Sequence, residues 1–220
     1  MKPTPITFDK VPTLFELKSA YPGLRALFFD MDGTLFNTES YHADALLLIA
    51  ARYNIRPPHS AETVHELMMG KADHLVFDII KDWEGVPRHW TVKDFVDEKN
   101  SNLIEILRKV EASEYFPKET LKLLQAAESE GLYLALVTSS EKIITEELLR
   151  ISGLAKMFQL ILTRDDCPAH KPDPWPYLKA MDVSGLDKTE IIIFEDSHVG
   201  LTAALSSGAH VIKVGWFPGN

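Results

Sequence analysis

The sequence predicts an α/β protein: a doubly wound parallel sheet with an inserted all-helical domain. Short apolar runs recur at Ala26–Phe29, Leu132–Val137, Leu160–Leu162, Ile191–Phe194 and Val211–Val214. Between the later runs lie stretches of helical spacing, Glu119–Glu130, Glu141–Ile151 and Gly200–Ser207. Strands that alternate with helices imply a parallel sheet. The stretch from Ser40 to Ala112 differs: it has helical periodicity, breaks at Pro57-Pro58, Gly70 and Gly85-Val86-Pro87, and shows no strand pattern.

In chain order, residues 1–23 carry Pro3, Pro5, Pro12 and Pro22 and read as an N-terminal extension rather than a core element. Residues 24–39 and 113–220 read as the α/β core, and 40–112 as the helical insertion between its first and second strands. A chain of 220 residues is long enough for such a core plus an inserted domain. Its 45% hydrophobic and 25% charged residues are ordinary for a soluble globular protein. The lone Cys167 excludes an intramolecular disulfide. No apolar run approaches a membrane span, and the amino terminus lacks the apolar core of a signal peptide, so the expected location is cytoplasmic with no membrane partner. The net charge of −9 disfavours nucleic acid. It also means that an anionic ligand needs positive charge concentrated at its site.

The run Ala26-Leu27-Phe28-Phe29 ends in Asp30-Met31-Asp32-Gly33. A carboxylate at the carboxyl end of a buried strand is delivered to the crevice where open α/β sheets bind ligands. Two acids so close raise each other's pKa unless a cation intervenes, so the pair asks for a divalent metal, a shared proton, or both. The alternative is a solvated loop with two surface acids.

Three more polar sites follow apolar runs. Thr138-Ser139-Ser140 offers hydroxyls and backbone amides between a strand and a helix, which suits an anion, although Ser and Thr there also serve as N-caps. In Ala169-His170-Lys171-Pro172-Asp173-Pro174, a proline after Lys171 biases it to an extended shape. A lysine held this way aims a fixed charge at a phosphoryl group, whereas most lysines are simply on the surface. Ile191–Phe194 runs into Glu195-Asp196-Ser197, and with Asp30 these acids make an oxygen-rich site suited to Mg²⁺.

These four sites, in this order, resemble the four motifs of the haloacid dehalogenase superfamily, over Ala26 to Val214. The resemblance implies a Rossmann-like core and a role for each residue. Asp30 matches the nucleophile that forms an aspartyl-phosphate and also holds Mg²⁺. Asp32 matches the general acid/base, with its backbone carbonyl on the metal. Thr138 and Ser139 match the phosphate cradle, Lys171 the charge-neutralising lysine, and Glu195 with Asp196 the metal-binding pair.

The insertion resembles the helical cap of the branch containing β-phosphoglucomutase and small-metabolite phosphatases, with hinges at Phe36–Glu39 and Ala112–Phe116. Within it, Met68-Met69-Gly70-Lys71-Ala72-Asp73 resembles the substrate-specificity loop. Lys71 is the candidate substrate contact there, with Lys99 and His42 as further candidates. Each also reads as a solvated lysine or a packed or surface histidine. The mutase carries an arginine three residues after the loop glycine, where this chain has Asp73, and a lysine before it, where this chain has Met69. Another departure is Trp175, where the third motif usually continues with an acid. An acid where a second phosphate would bind disfavours a bisphosphate. Lys99-Asn100 still resembles a Lys-Asn pair of the mutase cap.

The expectation is a monomeric Mg²⁺-dependent phosphatase for a small phosphorylated metabolite such as a sugar phosphate, with a phosphosugar mutase as the second reading. Receiver domains place their acidic pair ahead of the phosphorylated aspartate and have no helical insertion. Metal-free dehalogenases normally lack the second aspartate. The scattered histidines show no zinc spacing, and Ser197 lacks the nucleophile elbow of a serine hydrolase.

Overall fold

The computed structural model describes residues 5–58, 60–68, 71 and 73–217. The chain divides into two compact units, Met1–Asn37 with Ala112–Asn220, and Thr38–Glu111. The expectation placed the insertion at 40–112.

The first unit is built on six strands: β1 (Ile6–Phe8), β2 (Ala26–Phe29), β3 (Tyr133–Val137), β4 (Leu160–Leu162), β5 (Ile191–Glu195) and β6 (His210–Val214). All pair in parallel, in the order β1-β6-β5-β2-β3-β4. Its helices are α1 (Leu14–Ala20), α6 (Ala112–Tyr115), α7 (Lys118–Ser129), α8 (Lys142–Ile151), α9 (Trp175–Ser184) and α10 (His198–Ser207), and they lie on both sides of the sheet.

Strand β2 is buried along its whole length, which is why its sequence is continuously apolar rather than alternating. Ala26 and Phe28 join Ala135, Val137, Ile191 and Ile193 in one core cluster with Tyr177 of α9 and Ala203 of α10. Leu27 and Phe29, which alternate with them, are equally buried, and Phe29 stacks on Phe194 of β5 at 4.7 Å between ring centroids. From β2 the chain builds outward through β3 and β4, then crosses back to β5 and β6 on the other side. The border between β2 and β5 is therefore a topological switch point, the place where such sheets open a crevice at their carboxyl ends.

Residues 1–23 require a correction. Ile6–Phe8 is not an extension but a strand of the sheet, with Ile6 opposite Ile212 and Phe8 opposite Val214. Helix α1 follows, opened by a Thr13–Glu16 capping box and burying Leu14 and Leu17. Pro12 and Pro22 bracket this helix rather than interrupt it. A half-exposed three-residue edge strand carries too little apolar pattern to be seen in the sequence. The helical insertion consequently follows the second strand of the sheet, not the first.

The second unit holds α2 (Glu39–Arg52), α3 (Ala61–Met68), α4 (Asp73–Ile80) and α5 (Val92–Leu107). Leu46, Ile49, Val64, Phe77, Ile80 and Phe95 meet in its own core. Among its described residues the one extended pairing is an isolated bridge between Arg56 and Glu84. In the first unit, the chain segments leading into and out of this insertion are tied together. The Asn37 amide donates to the Tyr115 carbonyl at 2.8 Å, and the Phe36 ring packs on Tyr115 and Phe116. Among the described residues, no helix is long and apolar enough to cross a membrane.

Candidate active site

Asp30 is the first residue past β2, and its amide still donates to the Phe194 carbonyl at 3.1 Å, so the sheet ladder aims it. The turn after it depends on Gly33, whose φ of +74° disfavours other residues. A Cβ at Gly33 would also stand 2.4 Å from Asp196 Oδ2. The bare backbone thus lets Asp196 approach, and Thr34 Oγ1 donates to Asp196 Oδ1 at 2.9 Å. Glu195 is the last residue of β5 and is fully buried.

Lys171 joins these elements. Its Nζ donates to Asp30 Oδ1 at 2.5 Å, Glu195 Oε1 at 2.6 Å and the Val137 carbonyl at 2.8 Å, with the side chain only 4% exposed. The reading of Lys171 as a surface lysine is excluded. The peptide bond to Pro172 is cis. Tyr177 OH donates to the same Glu195 Oε1 at 2.5 Å, and its ring centre lies 5.0 Å from Lys171 Nζ. Glu195 Oε2 is buried without a hydrogen-bond partner.

Thr138 continues β3: its amide donates to the Leu162 carbonyl at 2.9 Å, and its Oγ1 accepts from the Ser140 amide at 3.0 Å. Thr138 is not an N-cap, because that position of α8 is Glu141. Ser140 Oγ donates to Asp32 Oδ2 at 2.5 Å. Ser139 is exposed.

Asp30, Asp32, Thr138, Lys171, Glu195 and Asp196 therefore gather at the carboxyl ends of β2, β3 and β5. Burial drives the Asp30 carboxyl well above the usual carboxylate range; Lys171 opposes this, while Glu195 and Asp196 add to it. Burial works against the Lys171 ammonium, but Asp30 and Glu195 outweigh it and hold the group above its ordinary value. One carboxylate oxygen each from Asp30, Glu195 and Asp196 lie within 4.8 Å of one another. Three hard oxygen donors and an orphaned buried carboxylate oxygen fit a small divalent cation such as Mg²⁺. The Asp32 carboxylate is not in this group and faces Ser140 instead.

In the second unit, Lys99 departs from the solvated-lysine reading. It is buried, pairs with Asp73 at the start of α4, and has its Nζ 3.3 Å from His42 Nδ1. These three residues form a polar cluster of the helical unit itself. Lys71 is exposed, while Met69, Gly70 and Ala72 of the same loop lie outside the described residues.

The sequence reading passed over Tyr177, Ser140, Thr34 and Gly200. Ser140 stood in the Thr138-Ser139-Ser140 run, but nothing there shows where its hydroxyl points. Tyr177 follows Lys171 by six residues, inside what reads as ordinary helix. A Cβ at Gly200 would fall 2.0 Å from Glu195 Oε2, so this helix position must be glycine for the carboxylate to fit.

Fold and site together define an α/β enzyme with a buried carboxylate–lysine–carboxylate centre at the switch point of its sheet. Residues 27–214 match the family model described as haloacid dehalogenase-like hydrolase, and the chain belongs to that family. It is 30% identical to a phosphoglycolate phosphatase of Thiobacillus denitrificans over 90% of this chain and 86% of that protein. It is 29% identical to a phosphorylated carbohydrates phosphatase of Thermotoga maritima over 84% of this chain and 82% of that protein. In fold it is similar to the crystal structure of CbbY from Rhodobacter sphaeroides in complex with phosphate, with a TM-score of 0.77, 23% identity, and 90% and 89% of the two chains covered.

Proposed function

We propose that the protein is a Mg²⁺-dependent phosphatase that hydrolyses a small phosphorylated metabolite, a sugar phosphate, through an aspartyl-phosphate on Asp30. The single observation that supports this best is the buried cluster in which Lys171 bridges Asp30 and Glu195. Phosphate-monoester hydrolysis is among the slowest uncatalysed reactions, and electrostatics and positioning must supply most of the acceleration. A buried nucleophile flanked by a fixed ammonium and a cation site meets that need.

Asp30, Glu195, Asp196 and the Asp32 backbone carbonyl would hold Mg²⁺, which when bound stabilises negative charge on the phosphoryl oxygens. The Asp30 carboxylate, oriented by Lys171, forms the bond to phosphorus as the bond to the leaving oxygen breaks. Asp32 gives that oxygen its proton, and Ser140 fixes the Asp32 carboxylate for this transfer. Water then displaces Asp30 from phosphorus, and Asp32 takes the water's proton, so one hard displacement becomes two easier ones. Thr138, Ser139 and Lys171 cradle the phosphoryl group.

The helical unit acts as a cap that reads the leaving group, with Lys71 as its exposed substrate contact. Lys99 is already engaged by Asp73, so neither residue presents uncompensated charge to a second phosphate. That favours a monophosphate substrate, and the name of the Thermotoga maritima relative favours a phosphorylated carbohydrate. The enzyme works as a cytoplasmic monomer.

The test is phosphate release from a panel of phosphorylated metabolites, 2-phosphoglycolate and phosphosugars included, with Mg²⁺ and with EDTA. β-Glucose 1-phosphate with a trace of the 1,6-bisphosphate is assayed in parallel for glucose 6-phosphate. Release that requires Mg²⁺ is the expected result. Glucose 6-phosphate formed without free phosphate would replace the phosphatase with a mutase.

A further inference from the structure

We propose that Tyr177 is a positioning residue that makes Glu195 a one-oxygen ligand and so selects Mg²⁺ over Ca²⁺. This rests on the reading of the acidic centre as a divalent-cation site. It begins with Glu195 Oε1, which accepts two hydrogen bonds, from Tyr177 OH at 2.5 Å and from Lys171 Nζ at 2.6 Å. A carboxylate oxygen has about two lone-pair sites, and both are taken. Oε2 is buried and accepts nothing. The carboxylate is thereby divided into a protein-facing oxygen and a vacant one, and only the vacant one is left for a cation.

The division is rigid. Tyr177 is fully buried in α9 and packs in the main core cluster of the sheet. Gly200 leaves the carboxylate its space, since any Cβ there would lie about as close to one oxygen as to the other, 2.0 and 2.1 Å. Lys171 alone would leave one lone pair of Oε1 open.

One-oxygen ligation discriminates between cations. Mg²⁺ demands a small octahedral shell, while Ca²⁺ takes six to eight oxygens at longer distances and gains from a carboxylate that binds through both. Removing the phenol hydroxyl frees Oε1 to join Oε2, which helps the larger ion and loosens the geometry required by the smaller one. Loss of such outer contacts typically costs 10- to 100-fold in metal affinity.

The experiment is isothermal titration calorimetry of Mg²⁺ and of Ca²⁺ into the metal-free full chain, wild type and Tyr177→Phe, without substrate. Phenylalanine keeps the ring in the core and under Lys171. The wild type is expected to bind Mg²⁺ more tightly than Ca²⁺, and the ratio of the two affinities is expected to fall about tenfold in Tyr177→Phe. A merely structural tyrosine would weaken both ions alike, and an unchanged ratio in the folded variant overturns the proposal. So does a wild type that prefers Ca²⁺, a result that needs no variant. A wild type that binds neither ion overturns the cation-site reading itself, and the role of Tyr177 with it.

Discussion

Two lysine side chains are buried among the described residues of the salt-bridge clusters, one in each unit, and they are balanced differently. Lys99 of the helical unit meets one carboxylate, Asp73, with His42 beside it, so the charges match one to one. Lys171 of the sheet unit meets Asp30 and Glu195, with Asp196 close by. One ammonium there faces three acids. The first cluster is complete as it stands, whereas the second retains an excess of negative charge. Burying like charges together is costly, and a folded protein keeps such an excess only where something else compensates it. The contrast separates a pair matched within the helical unit from a group that holds more carboxylates than cations.

The largest expected effect comes from removing one acid of the unbalanced group. Asp30→Asn should lower phosphate release by at least about 10⁴-fold, because it removes the proposed nucleophile. Its metal-free melting temperature should not fall, since one of the mutually repelling acids is now neutral. Full activity in this variant would remove the basis for the mechanism.

The balanced pair should respond in the opposite sense. Lys99→Met leaves Asp73 without its ammonium and should destabilise the helical unit by roughly 3 kcal/mol in urea unfolding. Adding Asp73→Leu to it should restore most of the loss, because replacing both charges is far less costly than stranding one. If the double variant is as unstable as the single, the pair is not the self-contained unit described above.

Adding Mg²⁺ sharpens the contrast further. At about 100 times its dissociation constant, Mg²⁺ should stabilise the sheet unit by about 2.7 kcal/mol. Hydrogen exchange should slow around Glu195 to Gly200 and stay unchanged in α5. Equal slowing in both places would mean that the two clusters do not differ as argued. The smallest effect lies away from both: Thr13→Ala should cost about 1 kcal/mol by opening the capping box of α1, with phosphate release unaffected.

The sequence exposed the parts of the site that sit at strand ends. Asp30 and Thr138 follow apolar runs, Glu195 follows Ile191–Phe194, and Lys171 precedes a proline that stiffens it. An apolar run ending in a polar residue is a local signal. Tyr177 and Gly200 gave none. Their importance arises from α9 and α10 packing against the sheet so that a phenol and a bare Cα meet Glu195, and linear spacing does not encode such a meeting. In the helical unit, burial decided the matter: Lys99 and a solvated helix lysine look the same until Asp73 is seen beside it. The sheet was legible except for β1, whose three residues pair with a strand some two hundred positions away.

That pairing bears on how the chain is made. Ile6–Phe8 is synthesised ahead of the other five strands of the sheet, yet its partner β6 is the last of the six. Contacts so distant in sequence form slowly, and during synthesis an unpaired strand is open to wrong partners. At three mostly exposed residues, β1 is short enough to wait without adhering to its neighbours, and its docking completes the sheet only once β6 has been made.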